Sequence, residues 1–580
     1  MSAFLPARAM LAALALAGWG GAAGAQALPE PAHSALALPE PVHAALAAAG
    51  LADASLSVVV RPLDGGTRQA EALADLPRNP ASTLKLVTTL AALELLGPDH
   101  RWHTRAWSAA ALQDGTLAGD LVIEGGGDPA LVSERWWLLV QQLRAAGVAR
   151  IRGDLVLDRS RFAPASAPSL DGQAARPYNA LPDPLLIDHG AVAVTVTPDP
   201  AHGRALVSLM PPLEGMEAPT TVALSRRACG NWLTALHLRW QGGRLVPGAG
   251  YPLACGMRTG YLRAPDPAAV AGASFRALWR QAGGRLDGRV RAGPVPQGAR
   301  LLADGASPPL AEVIRAINKH SNNVMARTLF LSLAQADGGA TLDRATGRTP
   351  MGGDAPGTLD GTQDGAPEGP AEALVDALVD AVAEAPAGSP ADTAAQASLK
   401  APADAATQAT AQGSAQVAAQ ASGDPGRDDA ADLAVPAAAA PVPPWTGAAA
   451  ERALRQWLLR IGVPAPGLVV RNGSGLSREE RISARSLAAL LVHAWAAPAM
   501  PDYLASLPQA GVDGTMAHRP VRAGAAWIKT GTLDGVRAVA GYVQAASGHR
   551  YAVVGLLNDP AAAGAQGALD ALLRWVAEGG

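Results

Sequence analysis

Between Phe330 and Trp445 the chain contains no Phe, Tyr, Trp or Ile, and Ala, Gly, Pro, Asp, Gln and Thr dominate. Such a segment cannot bury enough apolar surface to offset the conformational entropy lost on ordering. The core must therefore be built from the sequence on either side of it. Helical spacing stops near Leu333 and resumes near Leu454, with patterned sequence from Ala450. Residues 338–443 are thus expected to be a disordered insertion within a domain rather than a joint between two. Only Ala371 to Glu384 has some helical potential, through Leu374, Leu378 and Val382. A chain of 580 residues is long for one domain, so two or three are expected.

The first residues look like an export signal. Arg8 precedes an apolar run from Ala9 to about Ala17, and Ala23-Gly24-Ala25 offers small residues for cleavage, so residues 1–25 are expected to be removed on the way to the periplasm. The run is too short to span a bilayer comfortably, and no transmembrane span is expected in the mature protein, membrane association aside. A net charge of −3 with no basic run argues against nucleic acid as a partner. Cys229 and Cys255 can make one bridge in an oxidising compartment, or remain two buried thiols. Neither has the companions of a metal site, and His100 and His103 lack further ligands at suitable spacing, so no metal or cofactor is expected.

Asn79-Pro80-Ala81-Ser82-Thr83-Leu84-Lys85 predicts the start of a helix, with Asn79 as N-cap, Pro80 in the first position and Gly97-Pro98 as the stop. Ser82 then lies in the first turn, and Lys85, three residues on, sits over its hydroxyl. A serine is a poor nucleophile until a neighbour takes its proton. A lysine does so only when desolvation or nearby positive charge lowers its pKa from about 10.4. The tetrapeptide alone is common, and a capped surface helix accounts for it equally well.

Leu56 to Val60 is a β-branched run closed by Asp64-Gly65-Gly66, a strand and turn ahead of that helix. From about residue 101 short strand-like pieces alternate with turns, which predicts an independent β-rich insert. Helical stripes then flank Lys319-His320-Ser321-Asn322-Asn323: Val313, Ile314 and Ile317 before it; Val324, Met325, Thr328 and Leu329 after it. Ser321-Asn322-Asn323 is a break between two helices, where short polar side chains reach a cleft or simply cap a helix. Near the C-terminus, Trp527-Ile528-Lys529-Thr530-Gly531-Thr532 begins the first of three strands. Asp534-Gly535 and Ser547-Gly548 are the hairpin turns, and Leu569, Leu572, Leu573 and Val576 mark a closing helix.

Ser82-x-x-Lys85, Ser321-Asn322-Asn323 and Lys529-Thr530-Gly531 follow the order Ser-x-x-Lys, Ser-x-Asn, Lys-Thr-Gly. Each is weak alone, but each falls on a fitting support: helix start, interhelical turn and strand. With these motifs the chain resembles the penicillin-binding D-alanyl-D-alanine carboxypeptidase/endopeptidase family of peptidase class S13. Further likeness lies in Gly125-Gly126-Gly127-Asp128-Pro129, Arg176-Pro177-Tyr178-Asn179, Asn472-Gly473-Ser474-Gly475-Leu476-Ser477 and Gly511-Val512-Asp513-Gly514-Thr515. The long gap between Ser82 and Ser321 is also similar to this family. Arg327 is a departure, standing where many relatives carry an acidic residue at the rim of the cleft.

The resemblance implies an α+β fold of the serine β-lactamase/DD-peptidase type, an antiparallel sheet flanked by helices with a β-rich domain inserted between the first and second motifs. The expected division is residues 28–100, 265–337 and 444–580 for the catalytic domain and 101–264 for the insert. It implies a serine DD-peptidase acting on peptidoglycan stem peptides and acylated by β-lactams. Ser82 is then the nucleophile, Lys85 the base, Ser321 a proton relay and Asn323 a holder of Lys85 and of the substrate amide. Lys529 is a nearby positive charge. Thr530, Gly531 and Thr532 bind substrate, the Ser82 and Thr532 N–H groups forming an oxyanion hole. A β-lactamase would share the triad but has a far shorter gap, and a non-catalytic wall-binding protein would not need the intact set.

Overall fold

The computed structural model describes residues 37–164, 177–264, 266–337 and 444–579. The expected leader and the 338–443 insertion lie outside the described residues. Strands β1 (Leu56–Pro62), β2 (Ala70–Ala72), β3 (Ala526–Leu533), β4 (Val536–Gln544) and β5 (Arg550–Asn558) form one sheet in the order β3-β4-β5-β1-β2. All four pairings are antiparallel. The two C-terminal hairpins turn at Asp534-Gly535 and around Ser547-Gly548, as their residues predict. The pairing of β1 with β5, Val58 opposite Gly555, joins the two ends of the chain. Both strands are continuous apolar runs buried on both faces, which suits the middle of a covered sheet rather than an edge.

Among the described residues, eight helices cover this sheet: α1 (Glu40–Ala48), α2 (Lys85–Leu96), α3 (Leu310–Lys319), α4 (Asn323–Ser332), α5 (Gly447–Arg460), α6 (Ala484–Ala496), α7 (Met500–Ala505) and α8 (Gln566–Ala577). The alternation of side chains along the strands sorts the two faces. Val58, Val60, Val539 and Val553 point to one side, where α8 buries Leu569, Leu572, Leu573 and Val576 and α1 buries Val42 and Leu46. Val59, Ala538, Ala540 and Val554 point to the other, against α2 to α7. From Lys85 to Leu93 every residue of α2 is buried, so it is the central post of the helical layer rather than a surface helix.

The sequence between α2 and α3 forms two further units. One is a five-stranded sheet, ordered Val290–Ala292, Leu155–Asp158, Leu121–Glu124, His103–Ser108, Arg300–Ala306. Its first two pairings are parallel, and helices Ser133–Ala145 and Pro267–Gln281 bury Trp136, Phe275 and Trp279 beside it. The other is an antiparallel-centred sheet within residues 191–263, where Cys229 and Cys255 are joined in a disulfide. Two expectations are corrected here. The insert is not β-rich throughout, since half of it is α/β. Residue 264 also does not end the pairing, because strands within 285–306 pair with strands from 103–158. Short strands such as Arg300–Ala306 carry little pattern of their own, and only the partner strand His103–Ser108 shows where they belong.

The edges of the insertion meet. Helices α4 and α5 share the helical-layer core, Arg452 pairs with Asp337 at 2.9 Å, and Trp445 packs on Phe162 with ring centroids 5.7 Å apart. Among the described residues no helix is long and apolar enough to cross a membrane.

Candidate active site

The chain enters the site through Asn79. Its Oδ1 accepts the Ala81 N–H at 2.9 Å, and its Nδ2 donates to the carbonyls of Ser477 and Arg478. Asn558 of β5 holds the Asn79 backbone on both sides, accepting its N–H and donating to its carbonyl. The start differs in detail from the expected cap. A 3-10 turn, Ala81–Leu84, precedes α2, and Pro80 rather than Asn79 takes the capping position. Ala81 has φ 46°, in the left-handed region, which costs a non-glycine residue about 1–3 kcal/mol. The anchors on Asn79 supply the constraint that keeps it there and presents Ser82 at the turn.

Lys85 is fully buried, with its Nζ 3.0 Å from Ser82 Oγ, 2.5 Å from Asn323 Oδ1 and 2.7 Å from the Ser474 carbonyl. Two of those partners are carbonyl oxygens, which only accept. A neutral amine gives both its N–H bonds to them, and its lone pair is left facing the Ser82 hydroxyl. Burial and the positive charge of Lys529 hold the Lys85 pKa well below the usual lysine range, against a smaller upward pull from Glu480. A lysine shifted in that direction is better able to act as a base.

The second and third motifs close the cleft. Ser321 sits between α3 and α4 with φ 55°, a second strained non-glycine residue. Asn322 caps α4, accepting the N–H groups of Val324 and Met325, so Asn323 begins the helix with its side chain on Lys85. Lys529 on β3 is also fully buried and donates to Ser321 Oγ at 2.9 Å and to the Thr530 carbonyl at 2.9 Å. Burial brings its pKa down to about 7. Strand β3 is the edge of the sheet, with Thr532 exposed. Gly531 lets it pass close to the nucleophile turn: a Cβ there would lie 2.7 Å from the Pro80 carbonyl oxygen and 3.1 Å from Ser82 N. Ser82, Lys85 and Asn323 are thus joined by hydrogen bonds, as are Ser321 and Lys529, and the Lys529 charge acts on Lys85, with Thr530, Gly531 and Thr532 following Lys529 on the edge strand.

Groups to which the sequence assigned no role complete it. The Ser474 carbonyl belongs to the loop Asn472–Ser477, whose neighbouring Gly473 carbonyl accepts Thr88 Oγ1 from α2. Thr515 accepts Thr530 Oγ1 at 2.8 Å, and Asp513 pairs with Lys319 at 2.5 Å, so the loop Gly511–Thr515 braces both the α3 end and the Lys-Thr-Gly strand. Backbone carbonyls leave no letter in a sequence, and only the recurrence of these two polar loops pointed to them. Arg327 lies one turn beyond Asn323 but is buried rather than on the rim; it donates to the Ala180 carbonyl at 3.0 Å, and burial lowers its pKa to about 10.

The D-Ala-D-Ala carboxypeptidase 3 (S13) family matches over residues 38–347 and 430–578. The chain belongs to this family. It is a serine-type peptidase of the D-Ala-D-Ala carboxypeptidase class, acting on peptidoglycan. Among similar proteins, a D-alanyl-D-alanine carboxypeptidase of Actinomadura sp. (strain R39) is 27% identical over 489 residues, 81% of this chain and 71% of that one. The D-alanyl-D-alanine carboxypeptidase DacB of Haemophilus influenzae is 26% identical over 262 residues, 44% of this chain and 53% of that one. The crystal structure of penicillin binding protein 4 (dacB) from Haemophilus influenzae superposes with a TM-score of 0.59 at 20% identity, covering 87% of this chain and 90% of that one. The shared fold is thus a DD-peptidase-like α+β fold.

Proposed function

We propose that Ser82 is the nucleophile of an acyl-enzyme peptidase that trims the terminal D-Ala-D-Ala bond of peptidoglycan stem peptides, cuts their cross-bridges, or both. The observation that carries this is Lys85: buried, held by two carbonyls, with its remaining valence 3.0 Å from Ser82 Oγ. Lys85 takes the hydroxyl proton as Ser82 Oγ attacks the carbonyl between the two D-alanines. The N–H groups of Ser82 and Thr532 receive the developing oxyanion; the approach of Gly531 to Ser82 N supports that pairing. Ser321, joined to Lys529, relays the proton taken up by Lys85 to the leaving amine, so that the C–N bond breaks and both Ser321 and Lys85 return to their starting protonation. Asn323 orients Lys85 and the substrate amide, while Lys529 and Thr530 attract the terminal carboxylate. Water then attacks the ester, Lys85 again serving as base, and Ser82 is restored.

The Arg8-led apolar leader and a cell-wall substrate support export to the periplasm. Intact-mass analysis after incubation with penicillin tests the assignment: one stable adduct is expected on the native chain and none on Ser82→Ala. An adduct on that variant would remove Ser82 from the mechanism. Rapid turnover of penicillin without accumulation points to a β-lactamase instead, and no reaction at all to a wall-binding protein.

A further inference from the structure

Glu480 follows the Asn472–Ser477 loop and is fully buried, yet the chemistry above makes no use of it. Its two carboxyl oxygens accept the backbone N–H of Arg471 at 3.0 Å and of Asn472 at 3.2 Å. Asn472 Oδ1 in turn accepts from Ser474, its N–H at 3.0 Å and its hydroxyl at 2.6 Å. The Ser474 carbonyl then receives Lys85 Nζ. Glu480 and Ser474, the two ends of this chain of hydrogen bonds, are both fully buried.

We infer that Glu480 is a positioning residue for acylation, clamping the Arg471–Ser474 backbone so that the Ser474 carbonyl orients the Lys85 amine. This rests on the reading of Lys85 as general base. The charged groups around the carboxyl are few. Arg471, itself paired with Glu479, draws its pKa down, and Glu451 of α5, paired with Arg455, pushes it up. Burial is the largest influence and leaves Glu480 at about 7. Its charge raises the Lys85 pKa, against the effects of burial and Lys529. The charge on Glu480 therefore opposes loss of the Lys85 proton. When the pair holds one proton, catalysis needs it on Glu480 rather than on Lys85.

The test is the pH dependence of the second-order rate of penicillin acylation. The native acid limb is expected to need two ionisations, that of Lys85 and that of Glu480. In Glu480→Gln, which keeps shape and an acceptor oxygen but loses the charge, the limb should narrow to one ionisation and move to lower pH. Glu480→Ala, which also loses the clamp, should slow acylation tenfold or more across the whole range. A Glu480→Gln limb that superimposes on the native one overturns the proposal, as does a uniform loss of rate with the limb unmoved. Should that variant not fold, a native limb that fits one ionisation overturns it alone. Failure of the native chain to form a Ser82 adduct would instead refute the catalytic reading itself.

Discussion

Replacing Gly475 by alanine tests how tightly the nucleophile turn is held. Gly475 has φ 79°, and a Cβ built there falls 1.8 Å from the Ala81 carbonyl oxygen, 2.4 Å from its carbon and 3.0 Å from Ser82 N. All three atoms are backbone, so no side chain can swing aside. Reaching ordinary van der Waals contact requires the loop and the turn to separate by roughly 1.5 Å. The left-handed conformation costs alanine about 1–2 kcal/mol, and the forced backbone shift adds about 1–3 kcal/mol. Together they remove about 2–5 kcal/mol, a large share of a typical 5–15 kcal/mol stability. The same shift moves the Ser474 carbonyl away from Lys85 and Ser82 away from its base, and a misplacement of about 1 Å can cost 100-fold in rate. Gly475→Ala should therefore lower the melting temperature and slow penicillin acylation by roughly 100-fold. Gly567 in α8, where an added Cβ meets nothing within 4 Å, is the control. Gly567→Ala should leave acylation unchanged and stabilise by about 0.4–1 kcal/mol. Native acylation and melting in Gly475→Ala would show that the loop does not bear on the turn, and the geometric argument would fail.

Neutralising Lys529 removes a positive charge that lowers the Lys85 pKa. In Lys529→Ala the Lys85 pKa should rise, the acid limb of the acylation profile should move to higher pH and the rate at neutral pH should fall; an unchanged profile refutes the coupling. The Cys229–Cys255 bridge spans 26 residues, for which loop-closure entropy gives about 3.5 kcal/mol, and it lies in the accessory sheet. Denatured, unreduced protein should show no reactive thiol, and Cys229→Ser should speed proteolysis within residues 191–263 while leaving acylation intact; two reactive thiols would rule the bridge out. Because the Arg452–Asp337 pair and the shared core of α4 and α5 already join the two flanks, replacing residues 338–443 by a short Gly/Ser loop should leave acylation unchanged and the melting temperature equal or slightly higher. Loss of folding or of acylation on that deletion would make the segment structural.

Local features were legible in the sequence because helix and strand repeat with fixed periods. Ser82 and Lys85 are one turn apart by that rule alone, Ser321-Asn322-Asn323 interrupts two apolar stripes, and Asp534-Gly535 makes a hairpin of the Lys529 strand. The order of the three motifs, and the family they resemble, needed nothing further. Tertiary structure decided what periodicity does not encode. It paired β1 with β5 across the length of the chain and assigned residues 267–306 to the accessory α/β unit. It also put Lys85 and Lys529 in full burial, where desolvation lowers the pKa of both, that of Lys529 to about 7. The Ser474 carbonyl and the Glu480 clamp were out of reach for the same reason. A backbone carbonyl is the same group at every residue, and a carboxylate gains a role only when distant elements remove its water and leave it particular partners.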